Sequence, residues 1–167
     1  MARIVLLGMM GSGKSTVGRA LATRLNVPFR DTDQLLEYRL GRHIPQIFQL
    51  YGEDAFRSHE TSVLRGLEPL DSVTATGGGI VLREENWPEL RRLGTTVFLN
   101  AYPEVLIKRL DQSSRKRPLL AQDDWESKLR ELLAKRLPLY QQADITVDVK
   151  DEEIESVVEE IIKCLNL

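Results

Sequence analysis

The phosphate-binding pattern near the start of the chain constrains the fold more than any other feature. Residues 8–15 read Gly-Met-Met-Gly-Ser-Gly-Lys-Ser and match the pattern G-x-x-x-x-G-K-S/T at every fixed position. Glycines allow backbone N–H groups to close around phosphate oxygens, and the following helix N-terminus adds partial positive charge. The pattern therefore predicts that Lys14 reaches the β- and γ-phosphates of a nucleotide and that Ser15 is a ligand for Mg²⁺.

Alternating strand and helix signals predict an α/β fold with a largely parallel sheet. The predicted strands are residues 3–7, 28–31, 72–76, 95–99 and 145–149, and the predicted helices are residues 14–25, 33–40, 45–52, 54–67, 84–93, 103–110, 125–140 and 151–165. A capping box between Asp123 and Glu126 is predicted to open the helix at 125–140. The last helix is predicted to turn an apolar face beginning at Ile154 toward the core. The length favours one domain over residues 1–167.

Composition excludes several classes of protein. The 23 Lys and Arg against 25 Asp and Glu give a net charge of −2, which argues against a protein that coats nucleic acid or an anionic membrane. Cys164 is the single cysteine, so an internal disulfide and a cysteine-based zinc site are excluded. No stretch approaches the ~20 apolar residues of a membrane helix. We therefore expect a cytoplasmic protein with neither nucleic acid nor membrane as a partner. Because no long heptad pattern or extra domain calls for another chain, we also expect a monomer.

Two common classes of phosphate-loop protein lack support in this sequence. Switch GTPases read guanine with an N-K-x-D run, but the chain contains no Asn-Lys pair. Large ATPase motors carry an acid at the end of an aliphatic strand, whereas the strand predicted at 72–76 ends in Gly77-Gly78-Gly79. The acid that would serve the metal must therefore lie elsewhere, and Asp31 is the best candidate.

The triplet Asp31-Thr32-Asp33 follows the second predicted strand. Ligands of α/β sheets gather at the carboxyl ends of strands, so both carboxylates are candidates for a site beside the phosphate loop. One acid can hold the hydration shell of Mg²⁺, and the other can orient an attacking hydroxyl for phosphoryl transfer. The alternative is that the triplet only caps the next helix, since Asp and Thr are favoured at that position.

Three further segments can each be interpreted either as part of a binding site or as an ordinary structural feature. Arg57 can clamp an anionic substrate with Glu60 orienting its guanidinium, or the two can form a solvated ion pair on a helix. The glycines at 77–79 permit close approach to a ligand, or they form a flexible turn. The basic run at 115–118 can be a lid that brings Arg117 over the phosphates, or a solvated loop.

Taken together, these residues resemble the shikimate kinase family, small P-loop kinases related to nucleoside monophosphate kinases. The elements that carry the resemblance are, in order, residues 8–15, residues 31–33, Phe56-Arg57 with Glu60, Gly77-Gly78-Gly79, residues 117–120, and Arg136 with residues 138–140. The first element is shared by many NTPases. The full set, in this order and in a chain of this length, is highly specific.

The resemblance implies a three-layer P-loop kinase fold, with a five-stranded parallel sheet, flanking helices and a lid at about residues 111–123. It implies transfer of the γ-phosphate of ATP to the 3-hydroxyl of shikimate, a step in the biosynthesis of chorismate and aromatic amino acids. Mg²⁺ is the implied cofactor and ATP the co-substrate.

The resemblance also assigns roles to individual residues. It implies that the nucleotide contacts are Gly11, Ser12, Gly13, Lys14, Ser15, Thr16, Arg109 and Arg117, with Arg109 against adenine, and that Ser15 and Asp31 serve the metal. It implies that the shikimate contacts are Asp33, Arg57, Gly77, Gly78, Gly79 and Arg136, with both arginines on the carboxylate. Asp33 is the implied base, and Lys14 and Arg117 are implied to hold the transferring phosphate.

Two other functions remain open at this point. One is a P-loop kinase for another small hydroxylated acid, such as gluconate. The other is a nucleotide-binding module without catalytic activity, although the presence of Lys14, Asp33 and Arg117 argues against it.

Overall fold

The computed structural model describes residues 2–112 and 123–167, and in them a parallel sheet carries helices on its faces. Its strands are β1 (Arg3–Leu7), β2 (Phe29–Asp31), β3 (Ser72–Ala75), β4 (Thr95–Ala101) and β5 (Ile145–Val149). The helices are α1 (Lys14–Leu25), α2 (Thr32–Leu40), α3 (Ile44–Gly66), α4 (Asn86–Leu93), α5 (Pro103–Asp111), α6 (Trp125–Tyr140) and α7 (Ile154–Leu165), and a short 3₁₀ turn spans Ile80–Leu82. The five strands lie in the order β2-β3-β1-β4-β5, which confirms the predicted P-loop kinase fold.

The central strand β1 fixes the position of the phosphate loop. It pairs in parallel with β3 on one side and β4 on the other, and four of its five residues are buried. A short aliphatic run suits such a strand because helices cover both faces of a parallel sheet. The loop that follows β1 therefore leaves the sheet at the middle of its carboxyl edge.

The apolar residues form two separate clusters. The main core lies on the sheet and includes β1, the inner face of α1 and most of β4. A second, smaller core lies between α2 and α3 and consists of Leu36, Ile47, Phe56 and Val63. The second core supports the part of α3 that carries Arg57.

The helix α3 is interrupted at Gly52, where φ is 80° and ψ is 173°. A φ in the left-handed region favours glycine, which lacks a Cβ. The interruption agrees with the two helices predicted on either side of residue 52.

Four local predictions are wrong. Because α6 begins at Trp125 after Asp124, Glu126 is the second helical residue and cannot complete a capping box with Asp123; Asp124 instead pairs with Lys128 at 3.3 Å. Ile154 is 36% exposed because it opens α7 at the edge of the main core. The helix predicted from residue 84 begins only at Asn86, and the helix predicted from residue 151 begins only at Ile154.

Within residues 2–112 and 123–167, each helix is too short or too polar to cross a membrane.

Candidate active site

The loop after β1 has the backbone geometry of a phosphate cradle. Gly11 and Gly13 have φ values of 79° and 94°, in the left-handed region that side chains rarely adopt. Gly13 directly precedes α1, so the N-terminus of this helix opens toward the cradle. A concave loop followed by a helix N-terminus is the arrangement that binds phosphate groups.

Lys14 is folded back onto this loop. Its Nζ donates hydrogen bonds to the carbonyl oxygens of Gly8 at 2.6 Å and Met9 at 2.9 Å, and the residue is only 8% exposed. Nucleotide phosphates offer negatively charged oxygens, which form stronger hydrogen bonds with an ammonium group than neutral carbonyls do. The position of Lys14 therefore suits a residue that binds phosphate at the centre of the loop.

The helix α5 packs against the outer side of the phosphate loop. Arg109 donates to the carbonyl oxygens of Ser12 at 3.2 Å and Gly11 at 3.4 Å, and a Cβ on Gly11 would lie 3.0 Å from Leu110. The Ser12 hydroxyl is fully buried beside Gly8 and faces away from solvent. Ser12 can thus offer a nucleotide only its backbone, while Arg109 lies on the loop itself.

Ser15 and Asp31 meet at the mouth of the loop. The Ser15 hydroxyl donates to Asp31 Oδ2 at 2.8 Å, and both residues are partly buried. Hydroxyl and carboxylate oxygens are hard ligands that suit Mg²⁺. No group of three or more His, Cys, Asp or Glu side chains that could hold a metal is present in the described part of the chain. One or two protein ligands completed by phosphate and water is the usual arrangement for Mg²⁺ beside a nucleotide, and this pair fits it.

Asp31 also caps α2. The two interpretations of the Asp31-Thr32-Asp33 triplet, a site beside the phosphate loop and a helix cap, therefore both apply to Asp31. Its Oδ1 accepts from the backbone N–H groups of Asp33 at 3.0 Å and Gln34 at 3.2 Å. The other oxygen remains the acceptor for Ser15. The cap thereby fixes the carboxylate at the mouth of the phosphate loop.

The glycine loop, residues 77–79 after β3, brings the predicted acceptor residues together. A Cβ on the first glycine would lie 2.7 Å from Asp33 Oδ1 and 2.8 Å from Glu60 Oε1. A Cβ on the third glycine would overlap the guanidinium of Arg57. Since none of the three has a φ in the left-handed region, close approach by these side chains, rather than backbone conformation, requires glycine here.

The middle glycine connects this group to the phosphate loop and to α6. A Cβ on Gly78 would lie 3.3 Å from the backbone nitrogen of Met10 and 3.6 Å from Arg136 Nη1. Met10 belongs to the phosphate loop. The acid and the two arginines therefore share one pocket that adjoins the phosphate cradle.

Arg57 and Glu60 form a buried ion pair on α3. The Arg57 Nη1 donates to Glu60 Oε2 at 2.6 Å, and the two side chains are 12% and 3% exposed. Burial raises the pKa of Glu60 from 4.5 to about 7, against the opposing effect of the Arg57 charge, and the nearby Asp33 raises the pKa further. The pair is thus not the solvated helix pair that the sequence also allowed.

Both arginines retain unused hydrogen-bonding capacity. Arg136 is 4% exposed, and its Nε is buried without a hydrogen-bond partner; the Nε of Arg57 is in the same state. Buried polar groups are rarely left unpaired, so such groups at a pocket indicate a missing partner. A carboxylate is the natural partner, because guanidinium groups bind it with two parallel hydrogen bonds.

Two residues around the glycine loop had no role assigned to them from the sequence, although Tyr140 lies in one of the segments that carry the family resemblance. Tyr140, at the end of α6, donates from its hydroxyl to the Gly78 carbonyl oxygen, and its spacing of four residues from Arg136 was the available signal. Asn86 donates to the Ile80 carbonyl oxygen at 2.8 Å and accepts from Thr61 at 2.8 Å. No pattern in the sequence pointed to this second contact.

The remaining predicted nucleotide contacts are Thr16 and Arg117. Thr16 is exposed in the first turn of α1. Arg117 and residues 113–122 of the predicted lid lie outside the described residues, and Asp111, predicted to begin that loop, is the last residue of α5.

A phosphate cradle at the carboxyl edge of a parallel sheet, next to a pocket of arginines and an acid, defines a P-loop kinase for a small anionic acceptor. A model of the shikimate kinase family matches residues 10–166. The shikimate kinase of Caldanaerobacter subterraneus is 44% identical over 98% of this chain and 95% of its own, and that of Chromohalobacter salexigens is 48% identical over 96% and 89%. The chain belongs to the shikimate kinase family.

Solved structures agree with this assignment. A shikimate kinase from Acinetobacter baumannii in complex with shikimate has a TM-score of 0.93 and 37% identity, covering 99% of this chain and 93% of its own. A gluconokinase from Sinorhizobium meliloti has a TM-score of 0.65, 21% identity and coverage of 99% and 91%. At that identity the gluconokinase shares the fold alone, so the alternative of a gluconate kinase is not favoured.

Proposed function

We propose that this protein transfers the γ-phosphate of ATP to the 3-hydroxyl of shikimate, giving shikimate 3-phosphate and ADP. The observation that carries the proposal is the pocket at the glycine loop, where Arg57 and Arg136 each have a buried, unpaired Nε and where Asp33 lies against the same loop. Membership of the shikimate kinase family and the likeness to a relative in complex with shikimate support the choice of acceptor.

The chemistry of shikimate matches this pocket. Its carboxylate would take the unpaired hydrogen-bond donors of the two arginines, which removes the cost of leaving them buried without a partner. Its ring hydroxyls would bind to Asp33 and to the backbone of the glycine loop. Because Gly78 adjoins Met10 of the phosphate loop, a substrate held there would have a hydroxyl next to the terminal phosphate of ATP.

Catalysis would depend on positioning and electrostatic stabilisation, as is general for phosphoryl transfer. The 3-hydroxyl oxygen attacks the γ-phosphorus in line, the bond to the β,γ-bridging oxygen breaks, and ADP leaves. The proton of the hydroxyl passes to the carboxylate of Asp33. Lys14 would turn from the carbonyls that it now binds to the β- and γ-phosphates.

Ser15 and Asp31 would hold Mg²⁺, with Asp31 acting through a water molecule. The ion neutralises charge on the phosphates when it is bound. Arg117 is proposed to complete the charge stabilisation at the transferred phosphate, and Arg109 to lie against adenine.

A coupled assay of ADP release, run with and without shikimate, tests the proposal. We expect ADP release that depends on shikimate when Mg²⁺ is present, and no such release when Mg²⁺ is left out. Phosphorus NMR should identify the product as a phosphate monoester at the 3-position. Gluconate, as a matched hydroxy acid, should support little turnover. ATP binding without transfer to shikimate would refute the proposal and favour a nucleotide-binding module.

We propose further that residues 1–167 form one domain and that the protein is a cytoplasmic monomer with neither nucleic acid nor membrane as a partner. The net charge of −2 supports the last point. Light scattering coupled to size-exclusion chromatography measures the oligomeric state directly.

A further inference from the structure

We propose that the hydroxyl of Tyr140 is a positioning group that aligns the glycine loop with Arg136 for binding of the acceptor. The inference rests on the proposed function, because it assigns this tyrosine a role in the same pocket. Tyr140 contacts the loop from the side of α6, through its hydrogen bond to the Gly78 carbonyl oxygen.

The glycine loop depends on hydrogen bonds for its conformation, since it has no side chains. The carbonyl oxygen of Gly77 accepts from the N–H of Ile80 at 3.2 Å, and that of Gly79 accepts from the N–H of Leu82 at 3.1 Å. These two bonds belong to the turn itself. The carbonyl oxygen of Gly78 is held by a side chain from a different element.

Tyr140 is a rigid donor for this bond. Its side chain is fully buried and stacks on Phe98, with ring centroids 4.9 Å apart and an interplanar angle of 15°. Burial raises the pKa of the phenol to about 12, so the hydroxyl keeps its proton throughout the pH range of an assay. A fixed ring leaves the hydroxyl one position from which to donate.

The bond sets the direction of groups that face the pocket. In a trans peptide the carbonyl and the following N–H point in opposite directions, so a bond at Gly78 oxygen fixes where the Gly79 N–H points. Arg136 lies one helical turn before Tyr140 on α6, and its Nη1 is 3.6 Å from the position of a Cβ on Gly78. One hydroxyl thus sets the distance between the loop and the arginine.

The packing of the ring and the alignment of the loop can be separated by mutation. Tyr140→Phe keeps the stacked ring and removes the hydroxyl, with both its hydrogen bond to Gly78 and its contact with Arg136. We expect the KM for shikimate to rise about five- to tenfold, which corresponds to the loss of one hydrogen bond, while the KM for ATP stays within about twofold.

Ser72→Ala is the matched control. The Ser72 hydroxyl is also buried and donates to a backbone carbonyl oxygen, that of Leu70, at 3.0 Å. It lies at the amino end of β3, opposite the pocket. A purely structural effect would lower the melting temperature of either variant and leave both KM values unchanged.

Each outcome decides the matter. A selective rise in the KM for shikimate in Tyr140→Phe, absent in Ser72→Ala, supports the proposal. An unchanged KM, a parallel rise in both KM values, or a Tyr140→Phe protein that does not fold by circular dichroism overturns it, because the hydroxyl would then serve stability alone. A wild-type protein without shikimate-dependent turnover overturns the proposed function and this inference together, whereas an active wild type isolates the role of Tyr140.

Discussion

The stability of the wild-type protein should fall as the pH rises and the buried Glu60 ionises, and replacing Glu60 by Gln should remove this fall. The Glu60 carboxyl is 3% exposed and receives a hydrogen bond from Arg57 at 2.6 Å. Gln keeps an oxygen acceptor for that bond but cannot ionise. The substitution therefore isolates the cost of placing a negative charge at this buried position.

The magnitude follows from the raised pKa. Below about pH 4.5 the carboxyl is protonated in both the folded and the unfolded state, and its ionisation contributes nothing. Between about pH 4.5 and about pH 7 the folded protein keeps a proton that the unfolded chain has lost, so stability falls as pH rises. Above about pH 7 both states are ionised, and the full cost, about 3 kcal/mol at ~1.36 kcal/mol per pH unit, remains.

Urea unfolding followed by circular dichroism at several pH values measures this effect. The free energy of unfolding of Glu60→Gln, relative to wild type, should increase by about 3 kcal/mol from about pH 4.5 to about pH 8. Glu53→Gln is the control for the loss of an acidic partner of Arg57, because Glu53 pairs with the same arginine at 3.4 Å but is 64% exposed and lacks the burial of Glu60. Parallel curves for Glu60→Gln and wild type would refute the reasoning, since burial would then not govern this carboxyl.

Three further substitutions test the pocket by steady-state kinetics and ATP binding. Asp33→Asn should keep ATP binding but lower kcat by about 10²- to 10⁴-fold, the usual contribution of a positioned base; an unchanged kcat would remove Asp33 from that role. Arg136→Ala should mainly raise the KM for shikimate, and an effect confined to ATP affinity would contradict the assignment to the carboxylate. Gly79→Ala should raise the KM for shikimate about tenfold and also lower the melting temperature, because the added methyl group displaces the Arg57 guanidinium from its buried pair with Glu60; equal KM values for variant and wild type would show that this guanidinium does not bind the acceptor.

Local sequence signals predicted most of the fold because they depend on near neighbours in the chain. The aliphatic run of β1 and the glycines that follow it determine a strand, a turn and a helix without reference to the rest of the molecule. The predicted capping box between Asp123 and Glu126 is wrong because it requires the exact first residue of a helix, which sequence patterns do not determine. Its register depends on where α6 begins, and a shift of one residue moved Glu126 out of position.

The candidate site was less accessible to prediction because its residues meet only in the folded structure. The sequence could not distinguish a solvated pair from the buried pair of Arg57 and Glu60, since burial depends on contacts with α2 and the glycine loop. It also presented two exclusive roles for Asp31, although the two oxygens of one carboxylate fill both. From the sequence, only the resemblance to a family predicted that these residues belong to one site.

The second core, between α2 and α3, makes the stability of one side of the acceptor pocket partly independent of the main core. Leu36, Ile47, Phe56 and Val63 pack with one another rather than into the cluster on the sheet. Regions with few buried apolar contacts open at a lower free energy than the main core of a domain. We therefore expect the segment from α2 through the first half of α3, which carries Asp33 and Arg57, to open at a lower free energy than the sheet.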